Sequence, residues 1–131
     1  MTNNFQRIEI VGRVGRDPVR RAQMDGTFLT EFTVAVETFY FNAQAEKEKS
    51  ACWFQINAYE KLGDICHQYL KTGRLVYVDG KLEFNKFGNP RSVKITGTDR
   101  AIFEICADRV LFLDSPKTDP DPVQPEIDFT E

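Results

Sequence analysis

The side chains able to do chemistry in this sequence are rings and cations set close together. Phe39-Tyr40-Phe41 is followed by Trp53, Tyr59, Phe84 and Phe87. Arg7, Arg13, Arg20, Arg21, Lys61, Lys81, Lys86, Arg91, Lys94 and Arg100 are spread through the same segments. A ring offers a stacking face, and a cation offers a partner for phosphate. Single-stranded nucleic acid presents both stackable bases and a charged backbone. A platform of rings with flanking cations binds it with little sequence preference, at about 1–3 kcal/mol per stacked base. Three consecutive rings at 39–41 cannot all face one way on a strand, so at least one points outward. Trp53 and Phe54 likewise face opposite sides. Tyr40, Trp53, Tyr59 and Phe87 are the leading stacking candidates, with Phe39 and Phe84 beside them. The competing reading is packing. Phe28, Phe32, Phe54, Phe103 and Phe112 lie in alternating apolar runs and are expected in the core, as is Tyr69; Tyr77 is open to either. Dispersed cations alone usually form a solvated face.

Catalytic signals are weak by comparison. No nucleophile elbow, phosphate-binding glycine loop, metal-ligand cluster or dinucleotide fingerprint is present. Gly12-Arg13-Val14-Gly15 is only a GxxG. His67 is the single histidine, and it has no evident partner. Cys52, Cys66 and Cys106 are an odd number without metal spacing and lie in apolar runs. Buried, reduced thiols are expected. The expectation is a binding protein rather than an enzyme, with no cofactor and no metal.

The chain of 131 residues has room for one domain and a tail. No run approaches the ~18 apolar residues of a membrane span. The N-terminus shows no charged-then-apolar secretory pattern. A cytoplasmic location is expected. The net charge of −3 is unevenly distributed: residues 1–113 carry +2 and residues 114–131 carry −5. The last segment also holds four of the six prolines and no glycine. It cannot bury a core and is expected to be a disordered acidic tail. The domain division is therefore 1–113 and 114–131.

The elements that must position the rings read as strands around one helix. Ile8, Ile10, Gly12 and Val14 alternate with polar or outward positions in Arg7–Gly15, and Gly12 marks a bend or bulge. Val19–Met24 could resume that strand, and Asp25-Gly26 signals a hairpin turn. Thr27–Tyr40 is the longest strand pattern, and Asn42–Ser50 reads as a flexible hairpin loop. Cys52–Tyr59 is a third strand. Leu62, Ile65, Cys66, Tyr69 and Leu70 then recur at helical spacing, with Gly73 where a left-handed cap is wanted. Leu75–Phe87 is a strand interrupted at Asp79-Gly80, Gly88-Asn89-Pro90 a turn, and Val93–Thr96 a short return strand. A second turn at 97–100 leads to the last strand, Ala101–Leu113, with an irregularity at Asp108-Arg109. Five main strands, with the helix between the third and fourth, suit an all-β, five-stranded oligonucleotide/oligosaccharide-binding (OB) barrel. Order alone leaves other small barrels open.

Several stretches together are more specific. Val11-Gly12-Arg13-Val14-Gly15-Arg16-Asp17-Pro18, Phe32-Thr33-Val34-Ala35, Trp53–Leu82 and Ala107–Asp114 occur in an order and spacing that resembles the bacterial single-stranded DNA-binding protein family, which has mitochondrial members too. The resemblance covers roughly residues 4–113. It implies a non-enzymatic homo-oligomer, a tetramer in preference to a dimer, that coats single-stranded DNA in replication, recombination and repair near the nucleoid. By position it implies stacking at Trp53, Tyr59 and Phe87, and at Phe39 or Tyr40, a one-residue register question. Two features depart from the family. The segment between Phe87 and Glu104 is longer than usual. The tail is short and Pro-rich, and Phe129 is not terminal.

The tail carries Glu126, Ile127, Asp128, Phe129 and Glu131. Its apolar and acidic side chains suit docking to replication and repair proteins; the alternative is a solubilising appendage. For the whole chain, the rival readings are a primosomal accessory protein on the same barrel, a protein-interaction barrel whose rings are packing, and, more remotely, a nuclease.

Overall fold

A computed structural model describes residues 4–94 and 101–114. The expected turn at 97–100, Arg100 and the tail residues 115–131 lie outside the described residues.

β1 (Ile8–Val14) alternates as its sequence predicts, with Ile10 and Val14 buried. β2 (Val19–Ala22) does not resume β1. It pairs with β3 (Phe28–Phe41) across a turn in which Gly26 takes φ 90°. β3 and β4 (Lys47–Tyr59) form one unbroken antiparallel ladder from Leu29↔Tyr59 to Phe41↔Lys47. Lys47–Ser50, expected in a loop, therefore belongs to a strand, and the connection shrinks to 42–46. Asn42 closes it: its Oδ1 accepts the amide N–H groups of Gln44 (2.9 Å) and Glu46 (3.0 Å).

α1 (Glu60–Tyr69) follows β4 directly. Its buried Leu62 and Cys66, with Leu70, join the core. The helix ends earlier than expected, because Leu70 is extended; its N–H still donates the last helical bond, to the Cys66 carbonyl (2.9 Å). Gly73 is left-handed (φ 91°), but it serves the turn leading into β5 (Leu75–Leu82) rather than the cap. After the short β6 (Ser92–Lys94), β7 (Ala101–Phe112) pairs with β5 antiparallel and with β4 in parallel. The expected irregularity is a bulge. Asp79 faces Arg109 and Gly80 faces Ala107, leaving Asp108 extra.

β1 closes the ring β1-β5-β7-β4-β3 by pairing with β5 along most of its length and with β3 at Arg13↔Ala35 and Val14↔Val34. Closure removes the two sheet edges that an open five-stranded sheet would expose. Gly12 makes it possible. A Cβ there would overlap the Ala35 carbonyl oxygen and lie 2.8 Å from Val34 Cγ1.

Phe32, Val34, Ile56, Val76, Val78, Ile105 and Val110 form the fully buried interior. Phe54 and Phe112 pack against it from the rim. Phe28 and Phe103 do not belong to the core, being 39% and 49% exposed. Both have the core-facing parity, but they sit at strand ends beyond the barrel rim. Of the three thiols, Cys66 is buried, Cys106 half-buried and Cys52 exposed. Burial pushes the Cys66 thiol up to about 12, which leaves it protonated and inert.

Gly12→Ala should cost about 1–3 kcal/mol through overpacking at the closure. Phe32→Ala should cost about 3–5 kcal/mol through its cavity. Urea unfolding of the two variants measures both, and a Gly12→Ala protein as stable as its parent would contradict the closure argument.

Candidate nucleic-acid interface

The β3–β4 register sorts side chains onto two faces. Residues directly opposite share a face, and the faces alternate along each strand. Val34↔Phe54 and Phe32↔Ile56 face the core. Ala35↔Trp53, Thr33↔Gln55, Glu31↔Asn57 and Leu29↔Tyr59 therefore face out. Beyond the barrel the two strands continue as a ribbon. There Phe39↔Lys49 and Phe41↔Lys47 continue the Trp53 face, and Tyr40↔Glu48 continues the core face.

Trp53 is half-buried on the outer wall. Its indole lies over Gly15, where a Cβ would overlap ring atom Cζ3. Arg13, Ala35 and Trp53 make one row across three strands. Toward the ribbon tip, Lys47 Nζ stands 4.3 Å from the centre of the exposed Phe39 ring. Phe41 is 72% exposed on the same face. On the opposite face the Tyr40 hydroxyl donates to Glu48 Oε1 (2.7 Å). That bond raises the Tyr40 hydroxyl and lowers the Glu48 carboxyl.

Tyr59 ends the row at the other end of β4. Glu60 follows in the left-handed region (φ 56°), an uncommon conformation for a non-glycine residue, so the chain turns sharply between the ring and the helix. Burial first, and then the neighbouring Glu83, push the Tyr59 hydroxyl far above its ordinary value. A groove of about 720 Å³ opens beside Tyr59, and Lys61, Lys81 and Arg7 line it. Phe84 and Phe87 ride on an arm between β5 and β6; both are exposed, and Lys86 Nζ is 5.3 Å from the Phe87 ring centre.

The cations divide into two groups. Arg7 pairs with Asp79 (2.6 Å), Arg20 with Asp64 (3.0 Å), Arg21 with Glu31 (2.5 Å) and Arg91 with Glu83 (2.9 Å). Arg20 also lies 4.0 Å over the Phe28 ring. Arg13 donates to Gly73 O (3.0 Å) and Asp114 Oδ2 (3.2 Å). Lys61, Lys81, Lys86 and Lys94 are exposed, with no carboxylate partner among the described residues.

Sequence reasoning passed over Lys47 and Lys49, which the ladder sets opposite Phe41 and Phe39. It assigned no role to Gly15. It also missed Asn57, whose buried amide donates to Glu104 Oε1 (2.8 Å) and Glu83 Oε2 (3.0 Å). The usable signal was the alternation of Lys47 and Lys49 with Glu46 and Glu48. Among the described residues, no three His, Cys, Asp or Glu side chains gather to hold a metal ion, and no helix is long and apolar enough to cross a membrane.

The closed five-stranded ring, with one parallel pair and a helix between its third and fourth strands, defines an OB barrel whose outer wall presents rings and lysines. The sequence profile of the Single-strand binding protein family matches residues 5–113, and the chain belongs to that family. It is 32% identical over 109 residues to Single-stranded DNA-binding protein 1 of Chlorobaculum tepidum, covering 82% of this chain and 65% of the relative. It is 32% identical over 110 residues to the Single-stranded DNA-binding protein of Thermotoga maritima, covering 84% and 74%. The match to the Neisseria meningitidis protein spans 60% of that relative, so the aligned part of this chain accounts for less than two thirds of several relatives' length. Among solved structures, the Plasmodium falciparum SSB complex with ssDNA has the same fold, with a TM-score of 0.65 and 24% identity over 87% of this chain and 99% of that one.

Asp114 gives a pH-dependent test of the wall. Burial alone would raise its carboxyl. Hydrogen bonds from Arg74, the Leu75 N–H and Arg13 outweigh that and hold it below its ordinary value. A carboxyl lowered by folding contributes stability above its unfolded pKa and loses it as pH falls through the folded one. Asp114→Asn should therefore melt lower than the parent at pH 7. The gap should close as the pH falls below the ordinary carboxylate range. A constant gap at all pH values would contradict the assignment.

Proposed function

We propose that the chain binds single-stranded DNA without sequence preference, by stacking bases on Phe39, Trp53 and Tyr59 and meeting phosphates with lysines. The observation that carries this reading is the shared outward face of those three rings, with Lys47 and Lys49 on it. Phe39 is preferred to Tyr40 because Tyr40 lies on the opposite face, with its hydroxyl tied to the acidic Glu48. Lys61 and Lys81 extend the charged path into the groove beside Tyr59. Phe87 and Phe84, with Lys86, extend it along the arm. Lys94 and Arg100 follow that arm in sequence. Arg7, Arg13, Arg20, Arg21 and Arg91, and Lys49 beside Glu37 (3.4 Å), each hold a carboxylate of the chain, so a phosphate must displace that partner to use them.

Membership of the family supports extending this reading to coating of single strands in replication, recombination and repair, with a non-enzymatic role, assembly into a homotetramer and a nucleoid-associated cytoplasmic location. We assign residues 1–113 to DNA binding. Residues 114–131 are assigned to regulation and to capture of replication and repair proteins through Glu126, Ile127, Asp128, Phe129 and Glu131.

Quenching of Trp53 fluorescence by oligo-dT tests the reading. Affinity should fall with salt, with a log–log slope of about −0.7 per contacted phosphate. Trp53→Ala and Phe39→Ala should each weaken binding by about 1–3 kcal/mol, followed by anisotropy of labelled dT. Tyr40→Ala should change little. Equal affinity for duplex of the same length would sink the stacking model, because paired bases are not free to stack.

The acidic segment gives a separate prediction. Deleting 115–131 keeps the Asp114 contacts and removes −4 of charge. Binding of dT should tighten modestly at low salt, and the gain should disappear at about 1 M salt, where screening acts within a few ångströms. The same affinity at every salt concentration and an unchanged set of captured partners would leave the segment a solubilising appendage.

A further inference from the structure

At the root of the Phe87 arm, three backbone hydrogen bonds link three residues in a triangle. Glu83 N–H donates to Glu104 O (3.0 Å), Glu104 N–H to Arg91 O (3.1 Å), and Arg91 N–H to Glu83 O (2.7 Å). Here β7 ends its pairing with β5 at Ile105↔Leu82 and begins its pairing with β6 at Phe103↔Ser92. Residues 84–90 branch from the barrel at this point, closed by the Phe84↔Pro90 bridge.

The side chains of the same three residues also meet. Arg91 Nη1 donates to Glu83 Oε1 (2.9 Å), and Arg91 Nη2 lies 3.7 Å from Glu104 Oε1. Asn57 Nδ2 bridges the two carboxylates at 3.0 and 2.8 Å. One guanidinium and one amide thus hold two largely desolvated carboxylates, whose burial makes these partners necessary. The cluster reaches a stacking ring directly, because the Tyr59 hydroxyl donates to Glu83 Oε2 (3.1 Å). A ring on β4 is thereby tied to the residue from which the arm departs.

We propose that the Tyr59 hydroxyl and the Glu83–Arg91–Glu104 junction form one positioning unit, which sets the Phe87 arm against the Tyr59 ring so that bases stacked on the two rings are bound cooperatively. The proposal rests on the single-stranded DNA reading above. Glu83 and Arg91 act through the two rings and need not touch DNA.

A double-mutant cycle on the full chain tests it, with binding of oligo-dT as the readout. Tyr59→Phe keeps the ring and removes the tether; Phe87→Ala removes the second ring. Each should weaken binding several-fold. The double variant should fall short of the product of the two losses by about two-fold or more. A merely structural hydroxyl would lower the melting temperature and leave the losses multiplicative. Multiplicative losses overturn the proposal, as does a Phe87→Ala protein that binds like its parent. If Tyr59→Phe does not fold, Glu83→Gln takes its place in the cycle with the same two outcomes. Tyr59→Ala distinguishes the two levels of failure. If it binds dT like the parent, stacking at Tyr59 is itself wrong; if it binds weakly while the cycle is multiplicative, only the coupling is lost.

Discussion

The unbroken β3–β4 ladder is the constraint on which the rest depends. Its thirteen pairs run from Leu29↔Tyr59 to Phe41↔Lys47 without a bulge. Because side chains alternate with a period of two, one register assigns every side chain on both strands to a face. Phe32, Val34, Phe54 and Ile56 go inward, and that burial locks the register. Trp53, Tyr59 and Phe39 then have to face outward. A slip of β4 by one residue would turn Phe54 and Ile56 outward and bury Trp53 against Val34. Core packing and the candidate DNA face are therefore one decision, enforced by the energy of the interior.

Charge on the outer wall is governed by whether each cation already has a partner. Several arginines sit in ion pairs that join distant parts of the chain, such as Arg7 with Asp79 and Arg74 with Asp114. Their planar, multi-donor heads suit such fixed contacts. The lysines around the groove and arm keep compact charges on flexible stems. Exposed pairs contribute little stability, because solvent screens them and ordering long side chains costs entropy. The same weakness lets a phosphate compete for Arg20 or Arg21 at small cost, whereas Arg74, almost fully buried against Asp114, is a structural cation.

Three of the six buried polar side chains among the described residues gather at the branch of the arm. Gln55, Asn57 and Glu104 are all buried, although they lie on the outer face. Gln55 Nε2 donates to Asn57 Oδ1 (3.3 Å), and Asn57 passes its own donors on to the two glutamates. Desolvated groups of this kind are costly without partners and directional with them. An apolar cluster at the same place would fill space without fixing the direction in which residues 84–90 leave the barrel.

Much of the architecture was legible in local pattern. Alternation at Ile8–Val14, helical spacing from Leu62 to Leu70, the Asp25-Gly26 turn and the irregularity at Asp108-Arg109 each report a local preference, and each has its counterpart in the fold, whereas β5 runs through Asp79-Gly80 unbroken. The identity of the rings and the difference in charge between 1–113 and 114–131 are likewise properties of the chain itself. Tertiary structure decided what depends on a partner distant in sequence. Phe39 and Tyr40 are alike in sequence, and in a ribbon exposed on both sides no burial pattern separates them; their faces follow from pairing with Lys49 and Glu48. Phe28 and Phe103 alternate like core residues, yet the barrel ends before it reaches them. Lys47–Ser50 is polar enough to read as loop, but the opposite strand supplies its hydrogen bonds. Gly15 acquires its role only when Trp53 is laid over it. Glu83, Arg91 and Glu104 become neighbours only where three backbone segments converge. Local pattern encodes which way a residue prefers to point, while its partner, its burial and the charge it meets are set by strand pairing across the closed barrel.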